Sequence, residues 1–282
     1  MRRAFIIFFS IIFSIIIMWV LFQKTLKKLY SPLSIIERYK KNDFTFITYN
    51  IQKFPVPFKS FEPIKKLLNQ YSIVLLQECY DELFSSLETY FPNHYICRGT
   101  LKGINEMNSG LVILSIYPIL ETTFTSFKTS NLLTFDVFAE KGYLSALIDV
   151  SGQKIMVVNT HLQSCDYEAY DPIALLQLEE IIDFSRYIKY PYIIGGDFNI
   201  DIKECKKRHP TLDLNYPTDP TIYINFSTGH SKSTMSHGYT GLIFDYFIKG
   251  GLIYDMVVKT LCDEYSDHNP VVSKLCLENV KL

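Results

Sequence analysis

Several features that would assign this chain of 282 residues to a protein class at once are missing from its sequence. The formal net charge is −1, so the chain lacks the overall basic field that drives non-specific nucleic-acid binding, although a local basic patch is compatible with that value. The six cysteines include no C-x-x-C pair, which argues against a thiolate zinc site and against a disulfide framework. An oxidising compartment stays open as an alternative, because six cysteines can still pair.

Internal repeats are also absent, and no low-complexity tract occurs outside the amino terminus. Hydrophobic residues make up 48% of the chain and charged residues 20%, which is typical of a folded protein and not of a disordered one. A chain of this length can form one large α/β domain or two small ones around a substantial core.

The amino terminus carries the longest apolar run. Residues 4–22, AFIIFFSIIFSIIIMWVLF, contain no charged side chain. As a helix they would reach about 28 Å, close to the hydrocarbon thickness of a bilayer. We therefore predict that residues 1–22 form a membrane anchor with a transmembrane helix. The small residues of a signal-peptidase site do not follow the run, so an uncleaved anchor is favoured, with a cleaved signal peptide and secretion as the alternative.

A Lys-rich connector at residues 23–42 follows this anchor. Six Lys or Arg residues lie between Lys24 and Lys41, against two before the apolar run, which favours a single-pass membrane protein with a cytoplasmic catalytic domain. Lys24, Lys27 and Lys28 are candidates for contact with anionic lipids. Residues 43–282 are expected to form the catalytic domain.

Short apolar runs alternate with helical patterns from residue 44 onwards. Strands are predicted at 44–50, 72–78, 110–115, 143–150, 154–160, 192–197, 242–248 and 269–275, and helices at about 58–70, 81–90 and 172–189. Several strands are apolar at consecutive positions, which indicates that both faces are covered, and SGQ at 151–153 predicts a hairpin turn. The pattern therefore predicts a layered α/β domain with mixed sheets.

Polar residues that can bind a metal or transfer a proton stand at the ends of many predicted strands. They are Asn50, Glu78, His161, Asp197, Asn199, Asp245, Asp267 and His268. Carboxylate and amide oxygens favour Mg²⁺ or Mn²⁺, with Ca²⁺ as a further candidate, over zinc. Such an ion beside two histidines suits the attack of water on a phosphate ester, where a His–Asp pair deprotonates the water and the other histidine donates to the phosphate. Each residue alone also has an ordinary structural explanation; their joint order favours a site.

Seven segments, taken in order, carry a family resemblance. They are TYNIQ, LLQE, SGLVILSIYPI, VVNTHLQS, IIGGDFNI, FDYFI and SDHNPV. This series resembles the endonuclease/exonuclease/phosphatase superfamily, whose fold is that of deoxyribonuclease I, over about residues 43 to 276. The resemblance implies an α/β fold built as a four-layer α/β/β/α sandwich with the site at one end.

The resemblance also implies a role for each polar residue. Glu78 resembles the main Mg²⁺ ligand, with Asn50 beside it and Asp267 near the metal. Asp197 and Asn199 resemble the pair that positions the attacking water or stabilises the transition state. The remaining roles are phosphate contact for His161, general base for His268 and orientation of that base for Asp245.

One further motif bears on the substrate. Asp136 stands five residues before Lys141, which Gly142 follows, and the same arrangement after an LSxxPI segment is found in neutral sphingomyelinases. The resemblance implies that Asp136 and Lys141 form a substrate-side pair that acts as a switch near the catalytic centre, with Lys141 in contact with the substrate phosphate. It also implies that a phospholipid in a membrane, sphingomyelin, is hydrolysed to ceramide and phosphocholine. The alternatives are a membrane-tethered nuclease of the same fold, an inositol-phosphate phosphatase and a non-catalytic membrane-tethered binding module. Taken alone, the motif also fits a surface loop with solvated charges.

Overall fold

The structure, a computed structural model, describes most of the chain after residue 42. The described residues are 43–51, 61–99, 108–130, 139–164, 170–225, 227–228, 230–235, 237–251, 256–263 and 265–276, all within the unit Asn42–Leu282. Across these ranges no helix is long and apolar enough to cross a bilayer. The predicted anchor at 1–22 and the connector at 23–42 lie outside the described residues and stay predictions.

Six strands form the first sheet. Their order is β14 (Met256–Thr260), β15 (Val271–Cys276), β1 (Asp43–Asn50), β2 (Ile73–Gln77), β4 (Val112–Ser115) and β3 (Tyr95–Arg98). β1 and β2 are parallel, and the other neighbouring pairs are antiparallel. Side chains of β1 alternate between the two faces, and both Phe46 and Ile47 are fully buried, so this sheet is covered on both sides as predicted.

Six further strands form the second sheet. Their order is β5 (Ile119–Ser126), β6 (Gly142–Val150), β7 (Gln153–His161), β8 (Tyr192–Asp197), β13 (Asp245–Gly250) and β9 (Asp213–Asn215). β7 and β8 are parallel, and the rest of the sheet is antiparallel. Ser151 and Gly152 both have positive φ angles, 56° and 94°, in the two-residue turn between β6 and β7. The predicted hairpin is therefore confirmed.

A small third sheet contains β11 (His230–Lys232), β10 (Ile222–Asn225) and β12 (Thr240–Leu242), all antiparallel. The prediction of one strand at 242–248 was wrong, because β12 ends at Leu242 and β13 begins at Asp245. The backbone N–H groups of Phe244 and Asp245 donate to Oγ1 of Thr221, at 2.9 and 3.3 Å, instead of to a neighbouring strand. The chain thereby leaves the small sheet and enters the second sheet.

Helices cover the outer faces of the two large sheets, which pack against each other. The core between the sheets includes Phe46, Leu75, Ile113, Ala146, Val157 and Phe247. On the second sheet, α3 (Pro172–Ser185) and α4 (Ile202–Arg208) bury Leu178, Ile181 and Cys205 against Ile194 and Ile248. Asp171 caps α3 as predicted, through a 2.6 Å hydrogen bond from the N–H of Ile173.

The remaining described helices, α1 (Glu62–Leu68) and α2 (Asp81–Tyr90), lie at the first sheet. The guanidinium of Arg98 on β3 donates to the carbonyl oxygen of Phe84 on α2 at 2.9 Å and lies over its ring. Phe61 packs its ring against those of Tyr90 and Phe91 and so joins α1 to the end of α2. The layers are therefore helix, sheet, sheet and helix, the α/β sandwich that the sequence predicts.

Candidate active site

The predicted site residues meet where the parallel strands of both sheets end. Asn50 and Gln77 are partners at the carboxyl ends of β1 and β2 in the first sheet. His161 and Asp197 are partners at the carboxyl ends of β7 and β8 in the second sheet, and Asp245 pairs with Asp197 at the start of β13. Rigid strands thus deliver these side chains to one end of the sandwich.

Asn50 lies between the two halves of this site. Its Nδ2 donates to Oε1 of Glu78 at 3.1 Å and to Oδ2 of Asp197 at 3.0 Å. Glu78 follows β2 of the first sheet and Asp197 ends β8 of the second. One amide group therefore holds carboxylates from both sheets in a fixed relation.

Glu78 has an unusual backbone and an unusual acidity. Its φ angle is 55°, in the left-handed region that residues other than glycine rarely adopt, and such strain is common at functional sites. Burial raises the pKa of its carboxyl to about 7, and the charge of Asp267 adds to this rise. Asn50, Lys141 and His268 act in the opposite direction without cancelling it. A cation bound beside Glu78 would therefore stabilise its ionised carboxylate.

His268 and Asp245 form an oriented pair. Nδ1 of His268 lies 2.8 Å from Oδ2 of Asp245, and because an ionised carboxylate can only accept, Nδ1 carries the proton. The other ring nitrogen, Nε2, lies 3.5 Å from Oδ2 of Asp197. Burial lowers the pKa of His268, but the nearby carboxylates outweigh it and raise this pKa well above 6.5. A carboxylate that orients an imidazole in this way is the arrangement of a general base.

Asp197 lies at the centre of the site, and His161 and Asn199 flank it. The Nε2 atom of His161 is 3.6 Å from Oδ2 of Asp197, so both histidines face the same carboxylate oxygen. The other oxygen, Oδ1, accepts the N–H of Asn199 at 2.9 Å. Asn199 has a φ angle of 49°, and its side chain donates to the carbonyl oxygen of Leu162. Together with Asn50, these residues give Asp197 four neighbours that fix its carboxylate.

The substrate motif is only partly within the described residues. Asp136 lies outside them, so its predicted role stays a prediction. Lys141 is 7% exposed, and its Nζ donates to the Leu162 carbonyl at 3.0 Å, the same oxygen that Asn199 contacts. This buried ammonium is part of the site and is not a solvated surface charge. A Cβ atom on Gly142 would lie 2.3 Å from a carbonyl oxygen of β5, so only glycine fits there.

Several residues of the site region were not predicted from the sequence. Gln77 Nε2 donates to Oδ1 of Asn159 at 2.6 Å and to Oγ1 of Thr48 at 3.0 Å. Asn159 also donates to carbonyl oxygens of β2 and β4, so this buried network joins the two sheets directly beneath the site. The sequence signal for this network was the presence of single polar residues, Gln77 and Asn159, inside apolar strands. Ser266 was missed as well; its Oγ donates to the Asn50 carbonyl and accepts the N–H of His268.

Among the residues that the structure describes, two groups of side chains are candidates for a divalent cation. Ligand atoms of Asp197, Asp245 and His268 all lie within 4.8 Å of one another. In that group Nδ1 of His268 and Oδ2 of Asp245 already hydrogen-bond each other, so a cation bound through these two atoms would break the oriented pair. The other group is the predicted one, Asn50, Glu78 and Asp267. Its oxygen donors suit Mg²⁺, and the charge of Asp267 adds to the rise that burial produces in the pKa of Glu78, so these residues fit the ion better.

Comparison with known proteins agrees with this geometry. Residues 47–245 match the model of the Endonuclease/Exonuclease/phosphatase family. The chain belongs to this family. A sphingomyelinase C of Leptospira interrogans is 30% identical over 193 residues, which cover 58% of this chain and 34% of the relative. A Drosophila melanogaster protein provisionally named a neutral sphingomyelinase is 28% identical over 279 residues, which cover 83% of this chain and 61% of the relative. The chain thus spans less than two thirds of either relative.

Solved structures share the fold of this family member. A beta toxin of Staphylococcus aureus with bound magnesium ions has a TM-score of 0.64 at 20% identity, covering 82% of this chain and 99% of that chain. TDP2 of D. rerio in complex with a single-strand DNA product also has a TM-score of 0.64, at 15% identity, covering 83% and 99%. At these identities the two structures establish the fold alone.

Proposed function

We propose that this family member is a Mg²⁺-dependent phosphodiesterase of neutral sphingomyelinase type, which hydrolyses sphingomyelin to ceramide and phosphocholine. The observation that carries the proposal is the oriented pair of His268 and Asp245, aimed at Asp197 beside the carboxylate of Glu78. The names of the sequence relatives favour the lipid substrate. The oriented base argues against a non-catalytic binding module.

The side chains of the site have distinct tasks in this reaction. Asn50, Glu78 and Asp267 would hold the Mg²⁺ ion, which when bound neutralises charge on the phosphoryl oxygens. Neutral His268 accepts a proton from the attacking water at Nε2, while its Nδ1–H stays on Asp245.

Asp197 acts on the attacking water, and His161 acts on the phosphate that the water attacks. Asp197 Oδ2, 3.5 Å from Nε2 of His268, accepts a second hydrogen bond from the attacking water and orients it. His161 Nε2, which faces the same centre, donates to a phosphoryl oxygen. A bond forms between the water oxygen and phosphorus, and the bond from phosphorus to the ceramide oxygen breaks. That oxygen then takes a proton from solvent.

A substrate that lies in the membrane agrees with the membrane anchor predicted at the amino terminus. We propose that residues 1–22 anchor the protein in the membrane, with the catalytic domain on the cytoplasmic side. Lys24, Lys27 and Lys28 would then lie at the surface of the anionic leaflet. The connector at 23–42 joins this anchor to β1.

A nuclease is the second candidate, because TDP2 in complex with a DNA product shares the fold. The two candidates separate in one experiment. The full chain in detergent is given sphingomyelin in mixed micelles and, in parallel, plasmid DNA, each with Mg²⁺ or with EDTA. We expect Mg²⁺-dependent release of phosphocholine and intact plasmid. Nicked plasmid without phosphocholine release would refute the lipid substrate and show that the substrate is nucleic acid.

A further inference from the structure

The small sheet is fastened to the segment that carries His268. We call residues 266–269 the His268 loop. Asn269 donates from its backbone N–H to the Thr221 carbonyl at 2.7 Å and from Nδ2 to the Ser233 carbonyl at 2.5 Å. Ser231 on β11 donates from Oγ to Oδ2 of Asp267 at 2.5 Å. Two of these contacts hold the loop backbone and its Asn side chain, and the third reaches a predicted metal ligand.

The contact to Asp267 has a defined geometric effect. Asp267 is only partly buried, so its carboxylate would be free to rotate without a partner. The hydroxyl of Ser231 donates to one oxygen, Oδ2, and the hydroxyl of Ser266 donates to the other, Oδ1, at 3.4 Å. Ser266 in turn donates to the Asn50 carbonyl, and the Asn50 side chain donates to Glu78. Oδ1 of Asp267 therefore belongs to a chain of hydrogen bonds that runs through Ser266 and Asn50 to Glu78.

We propose that Ser231 is a positioning residue of the cation site: its hydroxyl fixes the Asp267 carboxylate beside Glu78, so that both carboxylates bind one divalent cation. The proposal rests on the Mg²⁺ site of the proposed function and adds the small sheet to it. A hydrogen bond that orients a ligating carboxylate commonly changes metal affinity by about 10- to 100-fold.

Two matched substitutions separate positioning from a general effect on the small sheet. Ser231→Ala removes the hydroxyl, and Ser231→Thr keeps it in a residue that strands favour. Ser227→Ala is the control, because the exposed Ser227 hydroxyl donates a 2.6 Å hydrogen bond to Oδ1 of Asn225 in the turn after β10, within the small sheet's own connection.

The measurement is calorimetric titration of MgCl₂ into the full chain in detergent, with free Mn²⁺ followed by electron paramagnetic resonance as a second readout. We expect Ser231→Ala to weaken cation binding at least about tenfold, whereas Ser231→Thr and Ser227→Ala stay close to wild type. In an Asp267→Ala background, Ser231→Ala should have no additional effect, because the two residues act through one contact.

Three outcomes would count against this assignment. Unchanged cation affinity in Ser231→Ala would overturn it and leave the proposed function intact. Equal weakening by Ser231→Ala and Ser227→Ala would show that only the fold of the small sheet matters. A wild-type chain that binds neither Mg²⁺ nor Mn²⁺ would overturn the cation site itself, and with it the metal-dependent function.

Discussion

Asn50 and Asp197 lie on different sheets, and the amide of Asn50 donates to Oδ2 of Asp197 at 3.0 Å. The same Nδ2 contacts Glu78, so the predicted metal side and the base side of the site share one buried amide group. Since both carboxylates repel each other when ionised, this donor also lowers the cost of placing them together. Asn50 is therefore expected to matter for both halves of the reaction.

Asn50→Ala should lower kcat/KM for sphingomyelin at least about 10²-fold, because Glu78 and Asp197 lose a common donor and the geometry between the sheets relaxes. Steady-state release of phosphocholine at saturating Mg²⁺ measures this loss. Asn215→Ala is a suitable control, since the Asn215 side chain donates to two oxygens of Asp213 in its own strand, β9. Near-normal turnover in Asn50→Ala would contradict the bridging role.

Asp245→Asn should move the pH dependence of the reaction in a defined direction. The carboxylate of Asp245 is the first of the charges that raise the pKa of His268 above 6.5, against the effect of burial. A base must lose its proton to act, so activity rises with pH through this pKa. Without the charge at residue 245, the acidic limb of kcat/KM should shift to lower pH while the maximum falls about 10²-fold.

The pH profile of this variant is measured at saturating Mg²⁺, so that metal binding does not contribute. Asp183→Asn serves as the control, because this carboxylate lies on the exposed side of α3 and pairs with Arg186. An acidic limb that stays at the wild-type pH in Asp245→Asn would show that His268 is not the titrating base.

Glu78→Gln should stabilise the metal-free protein while it abolishes Mg²⁺ binding. The folded-state pKa of about 7 exceeds the ordinary value of 4.5, so ionisation of Glu78 opposes folding. This penalty is absent below about pH 4.5, grows between 4.5 and 7, and is complete above pH 7, where it amounts to about 3 kcal/mol. The neutral amide removes it.

Chemical denaturation in EDTA at pH 5 and pH 8 tests this expectation. The gain in unfolding free energy of Glu78→Gln over wild type should be larger at pH 8 than at pH 5. In wild type, Mg²⁺ affinity should fall by about tenfold per unit as the pH decreases below 7, because the metal binds the ionised carboxylate. A stability gain that is independent of pH would refute the ionisation argument.

Gln77→Leu tests the buried network beneath the site. The substitution leaves Oδ1 of Asn159 without its donor in a buried position, which should reduce the free energy of unfolding by about 1–3 kcal/mol. Urea denaturation measures the change. Asn69→Ala, which removes an exposed hydrogen bond to the Lys65 carbonyl, should change stability by less than about 0.5 kcal/mol. Equal effects of both substitutions would mean that the network contributes nothing specific.

The sequence predicts the strand ends of this site well and its long-range contacts poorly. His161 and Asp197 follow long apolar strands, and because neighbouring parallel strands end at one edge, their proximity was foreseeable. Ser231 lies 36 residues before Asp267 on a strand of three residues, HSK, which is too short and polar for a periodic signal. The exposed, Thr-rich strand β5 was missed for a similar reason. The secondary structure at the site could thus be predicted from the sequence, but the side-chain contacts between different sheets could not.

Lys141 decides how far the sphingomyelinase resemblance applies. Its ammonium is buried beside the site on the Leu162 carbonyl, where its charge lowers the pKa of Glu78, and its predicted role is contact with the substrate phosphate. Lys141→Ala should therefore reduce sphingomyelin turnover at least about tenfold, chiefly through kcat if the contact forms in the transition state. Lys154→Ala, which removes an exposed charge at the far end of β7, is the control. If Lys141→Ala turns over sphingomyelin at the wild-type rate, Lys141 does not contact the substrate phosphate, and the lipid assignment loses its strongest motif while the hydrolytic site stands.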